Sequence, residues 1–222
     1  MTPALIIAID GPSGAGKGTV ARAVAARLNY RHLDTGAMYR AVAWKALHDG
    51  VDVADEGAMA ALASGASFVL DEGRVLIDGN DVTRAIRTPE IDRVATSVAR
   101  LTAVRRVLVS RQRALGAGGA IVMEGRDIGT VVFPDADVKI YLDASPEERA
   151  KRRASDPAHA ASSSRALNDV ATALAERDRN DATRADSPLT RAADAVLIET
   201  TGQSIDAVVN RVMDVVRDAE KR

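Results

Sequence analysis

No cysteine occurs in the 222 residues. That excludes disulfides and thiolate metal sites, and it agrees with a reducing compartment. Lysine is scarce: of the 30 basic residues only Lys17, Lys45, Lys139, Lys151 and Lys221 are lysines, and the rest are arginines. The three histidines, His32, His48 and His159, have no metal-ligand spacing and are expected at the surface or in packing. No apolar run approaches the ~20 residues of a membrane span. The first strand pattern starts at Leu5, so no signal peptide is expected ahead of it. The formal charge of −1 provides no bulk field for polyanions, so any anion must be recognised by local clusters. There is no internal repeat. Hydrophobic residues at 46% and charged ones at 27% suit a soluble globular protein long enough for one core plus an inserted subdomain.

What is present is concentrated in Gly11-Pro12-Ser13-Gly14-Ala15-Gly16-Lys17-Gly18-Thr19. Leu5 to Ile9 before it has the length and composition of a buried strand. After it, Val20, Val24 and Leu28 repeat every fourth residue, as on one face of a helix. Strand, glycine-rich loop and helix together are the setting of a phosphate-binding loop. Glycines let several backbone N–H groups converge on an anion, and the helix N-terminus adds its dipole. Lys17 supplies a mobile charge for the outer phosphates of a nucleoside triphosphate. The general pattern has Ser or Thr directly after the lysine, as a Mg2+ ligand. Here Gly18 stands there, so the metal is expected to be held mainly by phosphate oxygens and water, with no direct protein ligand. Thr19 is left for the inner phosphates.

Further along, Tyr30 to Leu33 reads as a second strand, and Asp34-Thr35-Gly36 caps a helix bearing Met38, Val42 and Leu47. An alanine-rich helix is expected from Glu56 to about Ala63. Then Ser67–Leu70, Arg74–Ile77 and Asp81–Thr83 form a small β-meander, turning at Asp71-Glu72-Gly73 and Asp78-Gly79-Asn80. It reads as a separate inserted lobe. Thr88-Pro89 starts a helix with Ile91, Val94, Ala95 and Val98 on its buried face. The next helix runs from about Thr102, with Val104, Val107, Leu108 and Leu115. The strand Ala120–Met123 delivers Glu124-Gly125-Arg126-Asp127 at its carboxyl end, where open parallel sheets bind ligands. Val138–Leu142 is a further strand, and Ser145-Pro146-Glu147-Glu148 is a capping box. Ser155 to Ser164 reads as a mobile connection. A helix follows through Leu167, Val170, Ala171 and Leu174, ending near Arg177. Ala195–Ile198 and a terminal helix capped by Ser204 close the chain. The expected fold is an α/β core with a five-stranded parallel sheet covered by helices on both faces.

Several arginines stand apart from solvated faces. Arg40 follows a capped helix start, Arg126 follows a core strand, and Arg177 and Arg184 bracket Asp178-Arg179-Asn180-Asp181. Converging guanidinium forks suit a second phosphate facing the triphosphate, an arrangement fitted to phosphoryl transfer. Asp127 is either a base-reading acceptor or an ion-pair partner of Arg126. Tyr39 and Trp44 read as packing residues. A GTP-binding switch is disfavoured because no Asn-Lys-x-Asp string occurs, and a passive ATP-binding module leaves the second arginine set unexplained.

In order along the chain, Ile9–Thr19, Leu33–Arg40, Ile86–Glu90, Val104-Arg105 with Arg111–Arg113, Gly125–Pro134, and Arg177-Asp178 through Ser187-Pro188-Leu189 resemble the bacterial cytidylate kinases. These belong to the nucleoside monophosphate kinase superfamily of P-loop proteins. The resemblance implies a single P-loop kinase domain over 1–222, an inserted monophosphate-binding lobe at 64–100, and a short lid with flanking helices at 152–184. It implies ATP with Mg2+ as donor and CMP or dCMP as acceptor. Gly11 to Thr19 would hold the ATP phosphates. Arg40 and Arg126 would clamp the acceptor phosphate. Thr35, Arg105, Asp127 and Arg184 would surround cytosine, with Thr96, Arg177 and Asp181 near the sugar. Arg149 and Arg153 would approach the transferring phosphate beside Lys17 and Arg126. Some relatives carry serine where this chain has Thr35 and Thr96. A cytoplasmic monomer with no nucleic-acid or membrane partner is the accompanying expectation. Relatives acting on UMP, AMP or a small alcohol share the loop, which therefore does not choose among acceptors.

Overall fold

The computed structural model describes residues 4–71, 73–156 and 167–221. Glu72 of the first meander turn, His159 and most of the Ser155–Ser164 connection lie outside the described residues.

A five-stranded, all-parallel sheet forms the core. Its strands are β1 (Ile6–Asp10), β2 (Arg31–Asp34), β6 (Ile121–Gly125), β7 (Val138–Asp143) and β8 (Val196–Glu199), in the order β2-β6-β1-β7-β8. Side chains alternate across a strand, so each strand supplies two cores. Ile7 and Ile9 of β1 and Val122 of β6 pack under α1 (Lys17–Leu28) and α8 (Ile205–Ala219). On the other face, Ala8, Ile121 and Met123 pack with Leu33, Ile128 and Val132. Near-continuous apolar strands such as Ile-Ile-Ala-Ile follow from this burial on both faces.

A second sheet is antiparallel: β3 (Phe68–Asp71), β4 (Arg74–Ile77) and β5 (Asn80–Asp81). Val75, Ile77 and Val82 share one apolar cluster with α2 (Thr35–Asp49), α3 (Glu56–Gly65), α4 (Pro89–Val98) and α5 (Thr102–Gly116). The meander thus packs into the apolar unit formed by helices α2 to α5. Helices α6 (Pro146–Ala154) and α7 (Leu167–Ala182) pack together through Ala150, Val170 and Leu174.

The expected caps are present. Asp34 accepts from the amide of Ala37, Thr88 from Ile91, Ser145 from Glu148 and Ser204 from Ala207. Three corrections apply. The helix expected to end near Arg177 runs to Ala182, because Asp178 and Asp181 find arginine partners and no Gly or Pro stops it. Leu47 and Leu115, grouped with the apolar residues that mark their helices, do not share the burial of the others: they are 42% and 37% exposed at the helix ends. A short π-helical turn, Ile128–Val132, follows β6 and carries no periodic signal. Its cause is remote: the Asp10 carboxylate accepts from the amides of Ile128 (2.9 Å) and Gly129 (2.8 Å).

Gly11 is where β1 turns into the loop. Its φ is +145°, and a Cβ there would lie 2.0 Å from the Leu142 carbonyl oxygen. Backbone cannot yield as a flexible side chain does, so only glycine fits. Gly11→Ala is expected to destabilise the fold by about 2–4 kcal/mol, checked by urea unfolding; an unchanged midpoint would contradict this packing.

Candidate active site

The carboxyl ends of β1, β6 and β2 open into one cleft of about 590 Å3. Each strand hands it a set of side chains: the loop Ser13 to Thr19 after β1, Glu124 to Asp127 at the end of β6, and Asp34 to Arg40 at the start of α2. Helices α4, α5, α6 and α7 add Thr96, Arg105, Arg153, Arg177 and Asp181. Arg184 follows α7. The cleft therefore brings together all the residues expected from the sequence except Gly11, Pro12 and Arg149. Gly11 and Pro12 lie beneath it. Arg149 braces the loop from outside, donating to the carbonyls of Ala144 (3.1 Å) and Ser13 (3.1 Å) and pairing with Asp178.

On the loop side, Lys17 is buried and its Nζ donates to the Pro12 carbonyl at 2.7 Å. Burial lowers its pKa to about 7, and the Arg126 guanidinium adds to this; Glu124 and Asp10 oppose it. Burial likewise pushes Asp10 up to about 6, against the two amides it accepts from. Gly18 has a local reason to lack a side chain: a Cβ there would lie 3.1 Å from Glu124 Oε1. The Glu124 carboxylate lies beside Gly18, and His32 Nε2 holds it at 2.9 Å.

On the facing side, guanidinium groups dominate and each has a carboxylate. Arg40 meets Asp34 at 2.8 Å, with Arg87 at 3.6 Å from the same oxygen. Burial favours a neutral Asp34, but Arg40 and Arg87 outweigh it and hold its pKa well below the usual carboxylate range. Arg126 Nε donates to Asp181 at 2.9 Å, and Arg184 lies 3.9 Å from that carboxylate. Burial would lower the Arg126 pKa, yet Asp181 raises it overall. Asp127 pairs not with Arg126 but with Arg105, both fully enclosed. Arg105 also sits 5.5 Å over the Tyr39 ring, so Tyr39 packs as expected. Burial pushes the Tyr39 phenol up to about 12. Thr35 Oγ1 donates to the Glu124 carbonyl at 2.7 Å, tying α2 to β6. Among the described residues the buried Nε groups of Arg40, Arg105 and Arg184 have no acceptor.

Sequence reasoning passed over Asp34, Arg87, Glu124 and Arg152, which all line the cleft. Glu124 was within reach, since it stands at the carboxyl end of a buried strand. Arg152 was recognisable only as one of several arginines on α6. It donates to the Thr200 carbonyl (2.7 Å) and to that of Ala15 (3.4 Å), bracing the loop beside Arg149.

A parallel sheet with a phosphate-binding loop after its central strand, facing a bank of arginines, defines a P-loop kinase-type fold. Shikimate kinase from Bacteroides thetaiotaomicron has this fold, with a TM-score of 0.50 and 11% identity over 96% of this chain and 98% of that one. The model of the cytidylate kinase family matches residues 7–218, and the chain belongs to that family. It is 47% identical to the cytidylate kinase of Solibacter usitatus, over 96% of this chain and 92% of that one. It is 49% identical to that of Pelotomaculum thermopropionicum, over 93% of each.

The depressed Lys17 pKa has a measurable consequence. At pH 8 the free protein holds Lys17 mostly neutral, and a bound triphosphate restores its charge. Calorimetry of ATP binding in buffers of differing ionisation enthalpy should read an uptake approaching one proton at pH 8, declining below pH 7. No net uptake would mean that Lys17 is already charged in the empty cleft.

Proposed function

We propose that this chain is a nucleoside monophosphate kinase that transfers the γ-phosphate of ATP to CMP or dCMP, giving ADP and CDP or dCDP. The observation that carries the reading is a single cleft with backbone amides and Lys17 on one wall and Arg40, Arg126 and the Arg105–Asp127 pair on the other. Membership of the cytidylate kinase family supports the same acceptor.

In this reading Gly11 to Thr19 receive the ATP phosphates, and Lys17 follows the β- and γ-phosphates. Arg40 and Arg126 hold the acceptor phosphate by transferring N–H groups from Asp34 and Asp181 to phosphate oxygens. An acceptor oxygen attacks phosphorus as the bond to the ADP oxygen breaks. The nucleophile is already anionic, so no protein base is required, and the residues orient and neutralise. Arg153 faces the developing charge and Arg149 holds the loop from behind. Cytosine presents an amine donor beside ring acceptors. Asp127 with Arg105, Arg184 and Thr35 offers the complementary acceptor and donors. Thr96, Arg177 and Asp181 stand toward the sugar. In the same reading residues 64–100 are the inserted monophosphate-binding lobe, and 152–184 the lid with its flanking helices.

Mg2+ suits this donor set as a companion of the phosphates. The hard carboxylate of Glu124 lines the cleft beside Gly18, and no group of three or more ligating side chains occurs among the described residues. The ion would be held mainly by phosphates and water, with Glu124 nearest among the cleft's carboxylates, and would supply positive charge to offset the charge developing in transfer. The reading takes the enzyme to be a cytoplasmic monomer acting on small nucleotides.

An ADP-coupled assay across CMP, dCMP, UMP and AMP should give the highest kcat/KM with CMP or dCMP. Equal efficiency with AMP would defeat the cytosine assignment. Arg126→Ala should lower kcat by roughly 10³, on the scale of an arginine-finger loss; normal turnover would mean that this clamp is misplaced. Asp127→Asn should raise KM for CMP and leave KM for ATP near its starting value, whereas equal increases would make Asp127 structural.

A further inference from the structure

Arg153 of α6 and Arg177 of α7 line the reaction cleft, and they also line a second cavity of about 600 Å3 on their far side. Asp92 of α4 lines only that second cavity. Its carboxylate is shared: Oδ2 pairs with Arg153 Nη2, and Oδ1 lies 3.3 Å from Arg177 Nη1. One carboxylate on the acceptor-side helix thus ties two arginines on two lid-side helices, across 61 and 85 residues of sequence.

The shared contact has work to do. Burial weakens the hold of both guanidiniums on their protons, and Asp92 is the main opposing influence at both; the like charge of Arg177 adds to the burial at Arg153, and that of Arg126 does so at Arg177. A guanidinium has five donors, and a carboxylate behind it engages part of the fork while leaving N–H groups for the cleft. Since Asp92 sits behind the arginines and not among the cleft-lining residues, it does not occupy the place of a phosphate.

We propose that Asp92 is a positioning residue for phosphoryl transfer, fixing Arg153 against the transferring phosphate while holding Arg177 on the sugar side, and so coupling the acceptor side of the cleft to its lid side. This rests on the kinase reading given above. The loss from removing Asp92 should fall on kcat and pass through Arg153, because of the two arginines it holds Arg153 is the one that acts on developing charge.

The test is steady-state kinetics of the full chain, each variant assayed well below its own melting midpoint. Asp92→Asn should lower kcat about tenfold, with KM for ATP and CMP changing less than about threefold. In an Arg153→Met background the same change should alter kcat by less than about twofold, since coupled residues are non-additive. Asp92→Ser, which also removes the charge, should behave like Asp92→Asn, so poor folding of one variant leaves the other to report. Wild-type kcat in both, or an equal fold-loss with and without Arg153, overturns the proposal while an active parent enzyme leaves the kinase reading standing. A parent chain that forms no ADP with any monophosphate overturns both.

Discussion

Buried arginine facing buried carboxylate is the interaction on which this molecule depends. Arg40, Arg105, Arg126, Arg153, Arg177 and Arg184 converge on one cleft, and unpaired they would repel one another in a poorly solvated space. Asp34, Asp92, Asp127 and Asp181 make the assembly possible. Such pairs add little net stability, because desolvation offsets the Coulomb gain. Their value is that cationic groups can wait, oriented and dry, for an anionic ligand. The near-zero formal charge of the chain fits this local matching of arginine with acid.

The sheet gives that charge pattern its geometry. Parallel strands end together, so the loop after β1, the Glu124–Asp127 segment after β6 and the cap of α2 after β2 are neighbours without any long-range search. Asp10 joins two of them by holding the amides of Ile128 and Gly129, which fixes the turn that follows Arg126 and Asp127. Gly11 joins β1 to β7 by letting the Leu142 carbonyl approach. Rigid backbone at these points lets a few side chains exchange partners while the frame stays fixed.

Much of this was legible in the sequence because local rules and tertiary structure agree. The strand–loop–helix around Lys17, the caps at Asp34, Thr88, Ser145 and Ser204, and the first two meander strands stand where pattern and turn chemistry place them, while the third is shorter and starts at Asn80, inside the expected turn. What was not legible depends on contacts distant in sequence. The turn at Ile128–Val132 is shaped by Asp10, and α7 continues past Arg177 because Arg126 and Arg149 donate to its carboxylates. Arg126 and Asp127 are adjacent in sequence yet pair with different residues, which no reading of neighbours would give. The loop-facing role of Glu124 was hidden for the same reason: the space it fills is created by Gly18, over a hundred residues earlier.

The central claim is that two anion-binding walls face each other, one of amides and Lys17, the other of guanidiniums released from carboxylates. The most direct measurement is a crystal structure with a bisubstrate ligand in which cytidine and adenosine are joined through five phosphates. The account predicts a phosphate chain running from the amides of the loop, past Lys17, to Arg40 and Arg126, with at least one N–H of each arginine moved from its carboxylate to a phosphate oxygen. Phosphates bound elsewhere, with Arg40 still wholly on Asp34 and Arg126 still wholly on Asp181, would contradict it.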